Sequence, residues 1–300
     1  MADPRRGAGG LTRGERIALL TYRLATQPGA RWSLRELAAG TGAARSTVSA
    51  DLTEVARALA QAGDARLETS PGPTGGVRCL PLPSPPRLQQ TVRALAEALA
   101  KPDRVLAGGF LFLTDVLFSP EWSRLIGECF AAAFLGSRAD VVVTVETKGV
   151  PIALMTARAM GCPLVLLRRD ARVTEGPSVS INYISGSAQR MQSMSVPRRA
   201  LRAGARALII DDFMKGGGTA RGMCDLLAEV GAQAVAIGVV VATDRPAVKK
   251  VAEYRSLLIL EQPEDEAWPM RLRAAPWVAG APDPLTQGAA PAQRPRRRSP

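Results

Sequence analysis

The sequence predicts an α/β protein with two domains: a small helical domain at the N-terminus and a larger domain built on a mainly parallel sheet. Three helical patterns and two short extended segments occupy the first 85 residues, whereas apolar runs alternate with helical patterns from residue 87 onward. Unbroken apolar runs are typical of parallel strands that are buried on both faces of a sheet. A length of 300 residues is enough for about two such domains.

The N-terminal segment has the pattern of a winged helix-turn-helix. Apolar periodicity predicts three helices, at 12–27, 33–38 and 44–62. Ser33 and Glu36 form a capping-box pair at the start of the second helix. Two extended segments flank a tip rich in proline and glycine, as the strands of a wing do, at 65–69 and 77–80. We therefore assign residues 1–85 to this domain, with a Pro-rich linker at 81–86.

The second domain is predicted at residues 86–264. Its strands are the unbroken apolar runs, at Val141–Val145, Leu164–Leu167, Ala207–Ile210, Val235–Val241 and Leu257–Leu260. Helical patterns such as 152–160 and 219–230 lie between them, which predicts an α/β arrangement. Beyond residue 264 the composition becomes rich in proline, alanine and arginine, which predicts a disordered tail at 265–300.

Composition narrows the functional classes. The net charge of +12 favours polyanionic partners such as nucleic acid. The chain has no histidine, which excludes Ser-His and Cys-His nucleophile pairs and every metal site that uses histidine. The four cysteines are isolated from one another, so we expect reduced thiols, no metal site and a cytoplasmic protein. No apolar stretch has the length of a membrane span, so we expect no membrane partner.

A pair of adjacent carboxylates followed by three glycines gives the strongest functional signal. An apolar strand delivers Asp211 and Asp212 to its C-terminal end, glycines 216–218 follow, and Thr219 opens a helix. Ligands of open α/β sheets bind outside the carboxyl ends of the strands. Glycines let backbone N–H groups approach a phosphate, and a helix N-terminus adds partial positive charge. Because carboxylates accept hydrogen bonds from vicinal hydroxyls, the segment predicts a receptor for a ribose 5-phosphate.

This pattern of apolar residues, two acids and a glycine loop resembles the signature with which type I phosphoribosyltransferases bind phosphoribosyl pyrophosphate (PRPP). The loop Glu146–Pro151, which carries a cation and a glycine between a strand and a helix, is similar to the pyrophosphate loop of that fold. The polar segment Tyr183–Pro197 lies where those transferases have a flexible loop that closes over PRPP, with Arg190 as its expected phosphate contact. The alternative for the Glu146–Pro151 loop is an ordinary strand-to-helix turn, and the alternative for Tyr183–Pro197 is a mobile hairpin without ligand contact.

The third predicted helix has an apolar face and a polar face. The apolar residues repeat with helical periodicity, at Val48, Leu52, Val55 and Leu59. The polar face carries small hydroxylic residues and arginine, which suit base edges and phosphates in a major groove. We therefore predict seven contacts with duplex DNA: Arg45, Ser46, Thr47, Ser49, Thr53 and Arg57 on the helix, and Arg78 after the wing tip. Asp51 and Glu54 argue against this, since acids repel phosphates, and the alternative is a helical dimerisation module.

Three segments and the N-terminal helical module together resemble one family. The segments ETKGVP, VTEGPSVSINYISGSAQRMQSMSV and LIIDDFMKGGGT look like those of the purine operon repressors of Gram-positive bacteria. The resemblance covers about residues 10–262. It implies a homodimeric repressor of purine synthesis and transport genes that binds operator DNA. It also implies PRPP as inducer, guanosine tetraphosphate as a competing ligand of the same pocket, and no permanent cofactor.

The resemblance assigns roles to individual residues. Asp211 and Asp212 would bind the ribose hydroxyls. The residues implied to cradle the 5-phosphate follow them: Lys215, Gly216, Gly217, Gly218 and Thr219. The pyrophosphate, with Mg²⁺ as counter-charge, is assigned to Thr147, Lys148 and Gly149. The other implied effector contacts are Phe110, Tyr183, Arg190, Phe213 and Met214. Phe110 stands where the family commonly has tyrosine, so it retains stacking and lacks the hydroxyl.

Two other functions stay open from the sequence. An active purine phosphoribosyltransferase needs residues that orient a free base and a loop that excludes water. We identify no base-orienting residues in the sequence and expect no catalytic residues. A phosphoribosyltransferase-like regulator that binds RNA is the third possibility, and the winged-helix pattern argues against it.

Overall fold

The computed structural model of the chain describes residues 10–72, 75–106, 110–169, 176–184, 191–261 and 271–280. The first of its two domains is a winged helix. Its elements are the helices α1 (Arg13–Thr26), α2 (Leu34–Thr41) and α3 (Arg45–Ala62) and the strands β1 (Arg66–Ser70) and β2 (Gly76–Leu80). The two strands pair antiparallel, and an isolated bridge joins Trp32 to Val77. The fold predicted for this segment is confirmed.

Capping and a compact apolar core hold the winged domain together. Complete capping boxes start α1, at Thr12 and Glu15, and α2, at Ser33 and Glu36. The core contains one residue or more from each helix and from the hairpin: Leu20, Leu24, Leu37, Ala38, Val48, Leu52, Val77 and Cys79. The helix α3 therefore contributes one face to the core and leaves the other to solvent.

The second domain begins with α4 (Pro85–Leu99), and proline at the first helical positions suits a helix start. The predicted linker 81–86 therefore ends at residue 84, because its last two prolines belong to this helix. The elements that follow α4 are β3 (Val105–Leu106), β4 (Phe110–Leu111), α5 (Thr114–Leu117), α6 (Pro120–Phe134), β5 (Val141–Val145), α7 (Val150–Met160), β6 (Leu164–Leu167), β7 (Ser178–Ile184), β8 (Met191–Pro197), β9 (Arg206–Met214), α8 (Gly218–Glu229), β10 (Gln233–Thr243), β11 (Arg255–Glu261) and β12 (Arg271–Ala274).

Six strands form the central sheet in the order β12-β11-β10-β9-β5-β6. All neighbours in it are parallel except β11 and β12. Residues from α4, α6 and α7 pack on one face of the sheet, and residues from α8 and the β7–β8 hairpin pack on the other. Burial on both faces is the reason why the parallel strands appear as unbroken apolar runs. The mainly parallel α/β fold predicted from those runs is confirmed.

The prediction of a disordered tail at 265–300 is wrong for residues 271–280. The strand β12 pairs antiparallel with β11, and Trp277 Nε1 donates a hydrogen bond to the Ser256 carbonyl at 2.6 Å. Leu272 packs against the core, and Val278 is buried within it. The sequence prediction relied on the overall composition of the tail. It therefore overlooked the alternation of polar and apolar residues in Arg271–Ala274, which indicates a strand. Residues 281–300 lie outside the described residues.

Residues 183–197, predicted as a loop that closes over PRPP with a hairpin as the alternative, belong to a hairpin in their described parts. Strands β7 and β8 pair antiparallel in continuous register from Ser178 opposite Pro197 to Ile184 opposite Met191. In these strands polar residues alternate with the apolar residues that face α8, so neither strand is an unbroken apolar run. The predicted phosphate contact Arg190 falls within 185–190, outside the described residues.

The winged domain packs directly on the second domain. Gly29, in the turn after α1, lies against Gly161, which ends α7 in a left-handed conformation. The Arg87 Nε atom donates to the Asp64 carboxylate at 2.9 Å across the same junction. A cavity of about 570 Å³ lies beside these contacts, lined by residues of both domains. Within the described residues no helix is both long and apolar enough to cross a membrane.

The four cysteines lie in buried or partly buried positions. All four are free: Cys79, Cys129, Cys162 and Cys224. Burial raises the pKa of Cys129 to about 12 and the pKa of Cys162 to about 11, so neither is a reactive thiolate at neutral pH. Among the described residues there is no group of three or more potential metal ligands.

Candidate phosphate-binding pocket and recognition helix

The two adjacent carboxylates lie inside β9 rather than after it, because that strand continues to Met214. Asp211 is 6% exposed, and its Oδ1 atom accepts the backbone N–H of Asp212 at 3.0 Å. Burial raises the pKa of Asp211 well above its usual value, and the negative charge of Asp212 raises it further. Burial also raises the pKa of Asp212, against which hydrogen bonding to Asp211 and the charge of Lys148 act. The pair therefore holds a proton more tightly than two free carboxylates do.

The glycine loop connects this strand to α8. Gly217 has a φ of +78° and forms the N-cap of α8, a conformation that a residue with a side chain rarely adopts. No side chain caps this helix N-terminus. Its first N–H groups are thus left for a ligand, and the helix dipole favours an anion there.

A second glycine loop lies directly against the first carboxylate. It runs from Glu146, after β5, to Gly149, which precedes α7. A Cβ built on Gly149 would collide with the Thr144 hydroxyl and would lie 3.3 Å from the Asp211 Oδ1 atom. Only glycine fits at this point, and the close approach joins the two loops predicted to bind one ligand.

The two loops line one cavity of about 500 Å³, which is the size of a small-molecule site. Its lining includes most of the residues predicted to bind the effector: Thr147, Lys148, Asp211, Asp212, Phe213, Met214, Lys215, Gly216, Gly217, Gly218 and Thr219. The sheet brings these residues together because β5 and β9 are neighbours and both run toward the cavity. This is the carboxyl end of the parallel strands, where α/β proteins bind ligands.

Arg169 is a cation of the cavity that sequence analysis missed. It follows β6 and is exposed, and its charge lowers the pKa of Asp211 against the larger effect of burial. Its neighbour Arg168 holds Glu146 through an ion pair of 2.5 Å, and the Glu146 carboxylate accepts the backbone N–H of Arg169 at 3.4 Å. These contacts tie the end of β6 to the second glycine loop. Because 22 residues separate Arg168 from Glu146, no local motif reveals the contact.

An apolar wall forms another side of the cavity. It consists of Leu106, Leu111 and Leu113 near the β3–β4 hairpin, together with Phe213. Such a wall suits the face of a ribose or a base, whereas the opposite loops suit phosphate. Phe110, the residue predicted to cover a base, begins β4 next to this wall, and its side chain lies outside what the structure describes.

Tyr183, predicted to contact the effector, packs between the β7–β8 hairpin and α8. Burial raises its pKa, and Thr219 and Asp211 of the cavity also influence that pKa. It is 7% exposed, and its hydroxyl donates to the Gln192 side chain of the neighbouring strand at 2.8 Å. A Cβ on Gly222 of α8 would lie 2.9 Å from the Tyr183 ring. The ring thus joins the β7–β8 hairpin to α8 and is not part of the described cavity lining.

The polar face of α3 is presented to solvent as predicted. Five of the six predicted contacts on this helix are exposed: Arg45, Ser46, Ser49, Thr53 and Arg57, while Thr47 is half-buried. Ala44 is the N-cap and supplies no side-chain hydrogen bond, in contrast to the capping boxes of α1 and α2. The N-terminal N–H groups of α3 are therefore available to a phosphate.

The two acids of α3 are engaged within the winged domain. Asp51 is 2% exposed and pairs with Arg16 at 2.8 Å and with Arg13 at 3.5 Å. Glu54 pairs with Arg57 at 3.0 Å and with Arg13 at 3.7 Å. Asp51 is thus a buried structural group and does not oppose a phosphate at the exposed face.

Arg78, the predicted DNA contact after the wing tip, is bound within the hairpin. Its Nε and Nη2 atoms donate to the same Glu68 oxygen, at 3.0 and 2.6 Å. Arg66 also pairs with Glu68, at 2.6 Å. A DNA contact by Arg78 would compete with this pairing, so α3 offers the stronger candidates.

Comparison with known proteins agrees with both domains. Residues 12–81 match the family described as "Bacterial purine repressor, N-terminal", and residues 119–274 match "Phosphoribosyl transferase domain". A purine biosynthesis transcriptional repressor PurR of Bacillus subtilis is 42% identical over 83% of this chain and 87% of its own. A purine biosynthesis transcriptional activator PurR of Lactococcus lactis is 35% identical over 84% of this chain and 93% of its own.

A xanthine phosphoribosyltransferase of Geobacillus thermodenitrificans matches a shorter region. It is 35% identical over 50% of this chain and 79% of its own. The match with the purine regulators spans both domains, whereas the enzyme matches half of the chain. The chain therefore belongs to the PurR family of bacterial purine regulators, which join a purine-repressor N-terminal domain to a phosphoribosyltransferase domain.

Proposed function

We propose that the protein represses purine genes by binding operator DNA as a homodimer in the cytoplasm, and that PRPP releases it from DNA. The observation that carries the proposal is the joining of two features in one chain. The first is the exposed, uncapped α3 of a winged helix, and the second is a cavity with an Asp pair between two glycine loops. A ligand cavity in the same chain as a DNA-binding domain has a direct purpose in regulation.

The cavity chemistry supports PRPP as the effector. Asp211 and Asp212 offer acceptors for ribose hydroxyls, and the glycine loop with the α8 N-terminus offers donors for the 5-phosphate. The Thr147–Gly149 loop and Lys148 suit the pyrophosphate. Guanosine tetraphosphate, which also carries pyrophosphate groups on a ribose, is proposed to compete for the same cavity.

Mg²⁺ fits the site as a companion of the ligand. It binds through one or two carboxylates together with ligand phosphates and water, and Asp211 and Asp212 supply the carboxylates here. When bound, the ion would neutralise pyrophosphate charge. The residues of the chain would orient the ribose through the Asp pair and the phosphates through backbone N–H groups.

Repression is favoured over activation by the degree of similarity. The relative named a repressor is 42% identical, and those named activators are 35% identical. Operator occupancy is measured by fluorescence anisotropy on DNA from upstream of purine genes. Transcription from the same DNA shows whether binding represses or activates the genes. Binding that raises transcription would overturn the repressor proposal and leave DNA binding intact.

Substitutions on α3 test the DNA-binding face. Arg45→Ala is expected to weaken operator binding by about 1–3 kcal/mol where the arginine reads a base, or to reduce the salt dependence where it contacts phosphate. Arg93→Ala, an exposed arginine on α4 in the other domain, is the matched control. Equal effects of the two substitutions would contradict the assignment of α3.

An active phosphoribosyltransferase is the second candidate, favoured by the 35% identity with a xanthine phosphoribosyltransferase over half of the chain. The test supplies PRPP, Mg²⁺ and purine bases including xanthine, and measures release of pyrophosphate. Purine-dependent turnover at about 1–1000 per second would establish an enzyme. We expect the wild-type protein to bind PRPP and the Asp212→Ala variant to bind it more weakly. We also expect PRPP to be recovered unchanged after incubation with the purine bases.

A further inference from the structure

The segment that follows β10 packs behind the glycine loop. It is formed by residues 244–250 together with Thr243, the last residue of β10, and none of these residues belongs to the described cavity lining. The backbone N–H of Lys250 donates to the Gly216 carbonyl at 2.9 Å. A Cβ on Gly217 would lie 3.2 Å from that same Lys250 nitrogen. The loop is thus in contact with the cavity on one side and with this segment on the other.

The Lys249 ammonium is bound entirely to this segment and the loop. Its Nζ atom donates to the Lys215 carbonyl at 2.6 Å, to the Thr243 carbonyl at 2.9 Å and to the Thr243 hydroxyl at 3.2 Å. These three acceptors match the three N–H donors of an ammonium group. The Thr243 hydroxyl donates in turn to the Arg245 carbonyl at 2.5 Å, which fixes its orientation. Lys249 is therefore a half-buried, internally bound cation and not a surface lysine.

Peptide geometry turns these contacts into a statement about the cavity. A trans peptide unit is planar, with its C=O and N–H pointing in opposite directions. The Lys215 carbonyl belongs to the same unit as the Gly216 N–H, and the Gly216 carbonyl to the same unit as the Gly217 N–H. Both carbonyls are held from behind, by Lys249 and by the Lys250 backbone. The two N–H groups are consequently directed away from that segment and toward the cavity, which Gly216 and Gly217 line.

We propose that Lys249 is a positioning residue for phosphate recognition: its ammonium fixes the Lys215–Gly216 peptide so that the N–H faces the phosphate, and it polarises that peptide from the carbonyl side. The inference rests on the proposed function, since it assumes that this loop binds a phosphate. An ammonium on the carbonyl strengthens the N–H of the same unit as a donor, because hydrogen bonds in a chain polarise one another. Lys249 itself does not touch the ligand.

The neighbouring lysine supplies a matched control. Lys249 and Lys250 carry the same charge, but the Lys250 side chain is exposed and only its backbone contacts the loop. Lys249→Met removes the ammonium from the carbonyls, whereas Lys250→Met removes an equal charge and keeps the backbone contact. A comparison of the two separates positioning from a general loss of positive charge.

The experiment is a calorimetric titration of the full chain with ribose 5-phosphate, and with PRPP and Mg²⁺, for wild type, K249M, K250M and K249R. We expect K249M to lose about 10–100-fold in affinity, by analogy with the loss on removing a residue that orients a metal ligand. We expect K250M to lose much less, and K249R to recover part of the loss because it keeps a cation. In ¹⁵N-glycine spectra without ligand, the Gly216 amide should shift in K249M and not in K250M, a signature that a general loss of stability does not produce.

Three outcomes would overturn the proposal. They are wild-type affinity in a folded K249M protein, equal losses in K249M and K250M, or an unmoved Gly216 amide. If K249M does not fold, K249Q keeps a donor without the charge, and wild-type affinity in K249Q would exclude the polarising role. If the wild-type protein binds neither ribose 5-phosphate nor PRPP, the proposed function is overturned as well. If the wild-type protein binds them and K249M binds them equally well, only the positioning role is overturned.

Discussion

Gly29 of the winged domain and Gly161 at the end of α7 meet backbone against backbone. A Cβ built on Gly161 would lie 2.6 Å from the Gly29 Cα atom. The same helix begins one residue after Gly149 in the second glycine loop, and its 11 residues extend over about 16 Å. One rigid element therefore connects a loop of the effector cavity with the contact between the domains.

This contact leads to a prediction about docking of the winged domain. Gly161→Ala should weaken it, because the added methyl group meets backbone that has no freedom to move aside, at a cost of about 1–3 kcal/mol. Gly204→Ala is the control, since Gly204 has a similar φ of +76° but no atom within 4 Å of an added Cβ. Calorimetry of thermal unfolding should resolve two transitions in Gly161→Ala, because the two domains then unfold separately, and a single transition in Gly204→Ala. Identical melting profiles would show that the contact does not couple the domains.

We expect PRPP and operator DNA to oppose each other through this connection. Saturating PRPP with Mg²⁺ should weaken operator affinity by about 5–150-fold, the usual range of allosteric coupling, and DNA should weaken PRPP binding by the same factor. The measurement is an anisotropy titration at fixed salt, because phosphate contacts make DNA affinity depend on salt. Asp212→Ala should abolish the effect of PRPP, and Gly161→Ala should reduce it without abolishing PRPP binding. An equal effect of PRPP on wild type and Asp212→Ala would mean that it acts outside the cavity.

The buried carboxylate predicts a pH-dependent cost to stability. Burial, and then the charge of Asp212, raises the pKa of Asp211 in the folded chain above its unfolded value near 3.8. The folded protein binds the Asp211 proton more tightly than the unfolded chain does. The stability that this binding contributes is complete below the unfolded pKa and is lost as the pH rises through the raised pKa. Asp211→Asn does not titrate and should therefore gain stability relative to wild type with rising pH, by about 0.5–2 kcal/mol.

Urea unfolding between pH 4 and pH 8 measures this gain. Asp225→Asn, at a half-exposed carboxylate on α8 that pairs with Arg221, is the control for the loss of one carboxylate charge. The same Asp211→Asn variant should bind PRPP more weakly, because it loses a charged acceptor for the ribose. A gain that stays constant or declines with pH would contradict the assignment of the raised pKa to this carboxylate.

The ion pair between Arg16 and Asp51 should be essential to the winged domain. Asp51 is 2% exposed and the Arg16 side chain 15% exposed, so removal of the arginine leaves a buried carboxylate with Arg13 alone at 3.5 Å. Arg16→Met is expected to destabilise this domain by about 3–5 kcal/mol, as is usual when one partner of a buried pair is removed. Glu54→Gln, which breaks a more exposed pair, should cost under about 1 kcal/mol. Similar losses in the two variants would mean that burial does not decide the effect.

The sequence predicted those parts of the cavity that are contiguous in the chain. The Asp211–Thr219 segment and the Thr147–Gly149 loop each carry glycine between the end of a strand and the start of a helix, and such local motifs are recognisable from the sequence. Arg169 and Lys249 were missed because neither belongs to a motif. Their roles depend on the order of strands in the sheet, and 34 residues separate Lys249 from the carbonyl that it binds.

The strands that the sequence analysis did not list among the apolar runs share a physical property. Strands β7 and β8 are rich in serine and bury only one side against α8, so they lack the unbroken apolar run by which the central strands were recognised. The strand β12 lies at the edge of the sheet and carries two arginines in four residues. Edge strands and one-sided hairpins tolerate polar residues, and composition therefore reports them poorly.

The position of β12 has a consequence for handling the protein. It covers β11, whose outer backbone N–H and C=O groups would otherwise form an open edge of apolar sequence. Open edges of this kind recruit strands from other molecules. A chain shortened to residue 261 would therefore tend to aggregate during purification, although its cavity, two or more strands away, would keep its walls. A truncation meant to remove the final 20 residues should end at Gly280, so that Trp277 and the strand before it still close the sheet.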